Sequence, residues 1–115
     1  MTPEMKKMLV DARRALRTTA SMMHNSRGGF AAVGRGAKDP EARAALQAYI
    51  GLLPETVAQL RSVADEADEY LRAGEITEDE WEALRQRLLR AFTQSGVMAR
   101  EAAAAIGHPI KEQSE

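Results

Sequence analysis

DPEARAALQAYIGLLPETVAQLRSVADEADEYLRAG, residues 39–74, decides the fold. Asp39 is a good helix cap, Pro40 suits the first helical position, and Glu41 favours the positive end of the helix dipole. Ala42, Leu46, Tyr49, Leu53, Val57, Leu60, Ala64, Ala67 and Leu71 then recur at steps of three and four, which is the period of one helical face. Gly74 closes the run as a C-terminal glycine. The phase continues across Gly51 and Pro54. Pro54 removes one backbone hydrogen bond and crowds the carbonyl four residues back, that of Ile50. Two readings follow: a single kinked helix over 40–73, or two helices joined near Gly51. The preserved phase favours the single helix.

Outward toward the N-terminus, Thr2 and Pro3 read as the cap and first position of a helix reaching His24. Met5, Met8, Leu9, Ala12, Leu16, Thr19 and Met23 form its apolar stripe, and Lys6, Lys7, Arg13, Arg14 and Arg17 lie largely off it. Residues 25–39, NSRGGFAAVGRGAKD, contain four glycines, each costing about 1 kcal/mol in a helix. They are expected to form a flexible, fast-exchanging loop. On the other side of Gly74, Thr77-Glu78-Asp79-Glu80 is a capping box, with Ile76 placed to staple onto Trp81. Trp81, Leu84, Leu88, Phe92, Ser95, Ala99, Ala102 and Ile106 form the next stripe, ended by Gly107 and Pro109. Residues 108–115 read as a frayed tail. The expected fold is therefore all-α. It is a single domain over 1–115, an antiparallel bundle of three long helices, or four if the middle one breaks at Pro54.

The stretch LRAGEITEDEWEALRQRLL, residues 71–89, resembles the SHOCT (short C-terminal domain) module. It shares a Leu-rich first helix, a Gly-x-Ile-Thr turn, an acidic stretch, an aromatic and a basic Leu-Leu ending. The resemblance covers 19 of 115 residues. It implies a helical hairpin associated with oligomerisation or protein contacts.

Composition fits a globular helical protein. It is 44% hydrophobic, with the apolar residues drawn mostly from Ala, Leu and Met, and 29% charged. The chain has no cysteine, which excludes disulfides, thiolate metal sites and cysteine nucleophiles; a cytoplasmic location is the simpler reading. No apolar run is long enough to span a membrane, and the first ten residues do not read as a signal peptide. Net charge is −1 but unevenly placed. Residues 1–50 hold nine Lys/Arg against four Asp/Glu, and residues 51–115 hold seven against thirteen. The two halves are expected to attract each other, within the bundle or across a dimer.

Chemistry-bearing motifs are sparse. Gly29-Phe30-Ala31-Ala32-Val33-Gly34-Arg35-Gly36 lacks the Lys and Ser/Thr of a phosphate loop and follows a helix rather than a strand. His24 and His108 are isolated, so no metal site and no cofactor are expected. Asp65, Glu66, Asp68 and Glu69 read as a solvated acidic face, and no residue is assigned a catalytic role. The sequence thus reads as a small non-enzymatic protein-interaction or regulatory protein, of a bacterial or phage accessory kind. Arg27, Phe30, Val33, Arg35 and Lys38 are its candidate partner-binding residues. The alternative is a nucleic-acid-associated protein using Lys6, Lys7, Arg13, Arg14 and Arg17 with the glycine-rich segment. A middle helix longer than the first would leave apolar stripe uncovered. That suggests an antiparallel homodimer in which the basic first helix meets Asp65 to Glu69 of its mate.

Overall fold

The computed structural model describes residues 1–105. It contains three α-helices, and among the described residues there is no strand. Helix α1 spans Pro3–Gly36, α2 Pro40–Ala73 and α3 Glu78–Ala105. Each start is fixed by local chemistry. The Thr2 hydroxyl accepts from the Met5 N–H at 3.1 Å, and the Asp39 carboxylate from the Glu41 N–H at 3.1 Å. The capping box ahead of α3 is reciprocal: the Glu80 N–H donates to Thr77 Oγ1 at 3.1 Å, and the Thr77 N–H to Glu80 Oε1 at 2.9 Å. Gly74 ends α2 at φ +78°, a left-handed conformation that costs a residue with a Cβ about 1–2 kcal/mol. Of the expected ending of α3, Ile106, Gly107 and Pro109 lie outside the described residues, as does the expected tail.

Pro54 does not break the middle helix. α2 is continuous through Gly51 and Pro54, because its apolar stripe stays in phase and is buried along its length: Leu46, Tyr49, Leu53, Val57, Leu60, Ala64 and Ala67. α1 runs antiparallel to it. Leu9, Leu16, Ala20 and Met23 of α1 are buried against this stripe, and α3 adds Leu84, Leu88, Met98 and Ala102. α2 is the common partner, because α1 and α3 touch each other only marginally. The flank of the α2 stripe meets α3 through Val63 and through Thr56, whose hydroxyl donates to Met98 Sδ at 3.1 Å.

The glycine-rich segment differs from expectation. Residues 25–36 are the last turns of α1, and only Ala37, Lys38 and Asp39 connect it to α2. Tertiary contact overrides the glycine cost. The Phe30 ring lies 4.9 Å from that of Tyr49, tilted at 58°. Gly34 is buried against α2, where a Cβ would meet Leu46 Cβ at 3.7 Å, an ordinary contact. The extension makes α1 and α2 equal, at 34 residues each, so the expected length mismatch disappears. Several side chains expected in the core are less enclosed: Met5, Ala12, Thr19, Ala42, Leu71, Trp81, Phe92 and Ala99 are half-buried, and Met8 is 53% exposed.

Candidate interaction surface

The charge asymmetry of the sequence is resolved inside the chain. Arg13 donates to Asp68 at 2.6 Å, and Arg17 to Asp65 at 2.9 Å and Asp68 at 3.3 Å. The Arg13 guanidinium, with Arg17 beside it, holds the Asp68 carboxyl below its ordinary range. Arg87 binds Glu66 through two nitrogens and ties α3 to α2. The basic first helix therefore meets the acidic segment of its own chain, and the charge pairing expected across a dimer is satisfied within one molecule. Lys7 is held by Asp11 at 2.9 Å. Of the five cations considered for nucleic acid, only Lys6 and Arg14 make no side-chain hydrogen bond or ion pair among the described residues.

The five residues expected to form a partner-binding loop do not form one patch. Phe30 is turned to Tyr49 and half-buried. Val33 is 46% exposed and Arg35 exposed, both on the helix, while Lys38 lies in the connector. Arg27 faces a groove between α1 and α2.

What sequence reading merged into one stripe of α1 is two. The buried line is Leu9, Leu16, Ala20 and Met23. A second line, Met5, Met8, Ala12, Ala15, Thr19, Met22, Ser26, Gly29 and Val33, runs at alternating steps of three and four and contains no charged residue. At 100° per residue it lies about 80° round the helix from the buried line, and Arg13 and Arg17 lie about as far on the other side. Met5, Ala12, Thr19 and Ser26 are half-buried, whereas Met8 and Met22 stand open, Met22 at 66% exposure. A period of 3.5 is the repeat by which one helix seats against another. Its members are small or flexible: alanine and glycine allow close approach, and methionine adapts its shape to what it meets. The signal that would have separated the two lines is the 4-3 alternation itself, which persists unbroken through the glycines.

Among the described residues there is no group of three or more His, Asp or Glu placed to hold a metal ion. None of the described helices is long and apolar enough to cross a membrane. Comparison with known proteins gives no relative: no family model, no curated protein and no solved structure matches this chain.

Proposed function

We propose that this chain is a non-enzymatic protein-interaction or regulatory protein, and that it seats a helix of its partner along the uncharged line of α1. The observation that carries this reading is the 3.5-residue line from Met5 to Val33, free of charge in a helix that carries charge on its other faces and left open at Met8 and Met22. The hairpin over residues 71–89 supports it, through the resemblance to a module of oligomerisation and protein contact. A second copy of this chain is one partner such a line accepts, since α1 can pair with α1 about a two-fold axis.

The test is a charge placed in the line. Met8→Glu with Met22→Glu alters two exposed positions and should leave the fold and its melting nearly unchanged. Partner binding, or self-association seen by sedimentation velocity, should weaken at least about tenfold, or about 1.4 kcal/mol. Arg14→Glu, on the polar face, serves as the control and should bind like the parent. A double variant that binds and sediments like the parent sinks the reading. Nucleic acid is the competing outcome: it would appear as a mobility shift that fades steeply with salt and is lost in a Lys6→Gln, Arg14→Gln variant.

A further inference from the structure

Between α1 and α2, on the side of α1 away from the uncharged line, lies an open groove of about 320 Å³. Its floor is apolar, formed by Leu53 and Val57 of the α2 stripe. Its walls carry basic side chains. His24 and Arg27, one turn apart on α1, face Arg61 of α2, and no carboxylate lines the space. Neither the Arg27 nor the Arg61 side chain makes a hydrogen bond or ion pair among the described residues, unlike those of Arg13, Arg17 and Arg87. Asp65, one turn beyond Arg61 and the natural i,i+4 partner for it, is occupied by Arg17 at 2.9 Å. Pro54 also borders the groove. Its ring adds to the apolar lining.

Two unpaired guanidinium groups over an apolar floor have a defined complement. Each presents a planar fork of donors suited to a carboxylate, and the space beneath holds an aliphatic chain of a few carbons. We propose that this groove is a binding site for a carboxylate carried on an aliphatic group. Arg27 and Arg61 grip the anion, His24 donates from its ring, and Leu53 and Val57 bury the chain. Two sources share that chemistry: a free aliphatic acid, and the C-terminal carboxylate of a peptide ending in an aliphatic residue. The site is separate from the α1 line and stands or falls independently of the partner reading.

Methyl and guanidinium chemical shifts of the full chain test it, with four probes: octanoate, octanol, acetyl-Ala-Ala-Leu with a free carboxylate, and the same peptide as its C-terminal amide. The site is supported when octanoate or the free-acid peptide shifts Leu53, Val57, Arg27 and Arg61 saturably while octanol and the amide do not. Octanoate binding tighter than the peptide assigns the source as a free acid; the reverse order assigns it as a peptide end. In Arg27→Gln with Arg61→Gln, both exposed positions, binding should weaken at least about tenfold, the scale of losing charge-assisted hydrogen bonds. Shifts confined to other residues, equal binding of octanol and octanoate, or affinity unchanged in the double variant would overturn the proposal. The octanol and amide arms use the unaltered protein, so they decide the matter even if the variant fails to fold.

Discussion

Asp68 accepts from Arg13 and Arg17 at once, with its side chain only 22% exposed. Its carboxyl titrates below the unfolded value of about 4. The sign follows directly. The charged form is favoured in the folded state, so the contribution to stability is fully present above about pH 4 and is lost as pH falls through the depressed folded value. Melting temperature should therefore drop on acidification below about pH 4, and Asp68→Asn should flatten that part of the profile while lowering stability at neutral pH. An Asp68→Asn profile parallel to the parent's across the acid range would refute the assignment. The sequence indicates that its basic and acidic halves attract, and Arg13, Arg17, Asp65 and Asp68 are visible there as charges. Which arginine meets which aspartate depends on the register of α1 on α2, and no local pattern carries that. The same holds for His24, Arg27 and Arg61, which become neighbours only when the two helices align.

Helix ends are legible in the sequence because their chemistry is local. Thr2, Asp39, Gly74 and the Thr77–Glu80 box act within four residues of themselves, and each does in the structure what its type and position predict. The end of α1 is not legible, because a glycine's cost is local while its compensation is not: Phe30 on Tyr49 and Gly34 on Leu46 come from another helix. Some of those glycines contribute nothing to packing. A Cβ at Gly28, Gly29 or Gly36 would meet no atom within 4 Å, and none of the three has positive φ. Each is a helix position filled by a poor helix former. Alanine there should stabilise the protein by about 0.5–1 kcal/mol per site, with near-additive gains at Gly28 and Gly36. Thermal melting checks this. Loss of stability in Gly28→Ala and Gly36→Ala would mean that these turns of α1 are not helical in solution.

At the scale of the molecule, α2 shares far more surface with α1 than with α3, and α1 and α3 barely meet. The 53 × 32 × 19 Å extents, with a radius of gyration of 16.8 Å, describe an arrangement more extended than the roughly 13 Å of an average domain this size. Cooperativity should divide accordingly. Native-state hydrogen exchange should show the amides of α3 opening at a free energy on the order of 1–2 kcal/mol below those of Leu9–Met23 and Leu53–Ala67, since α3 can lift away without parting the other two. Identical opening energies across all three helices would contradict this division. An odd number of antiparallel helices has one more effect. α1 begins beside the end of α2, and α3 returns toward the end where α2 began, as the Arg87–Glu66 and Thr56–Met98 contacts show. The two ends of the described chain thus leave from opposite ends of the long axis. Tension applied through them pulls α1 lengthwise along α2 and loads its ion pairs and buried leucines together rather than one after another. The bundle meets such a pull in shear, and each seam should slip as a unit, the smaller α2–α3 seam first, where a two-helix hairpin, its ends side by side, would unzip.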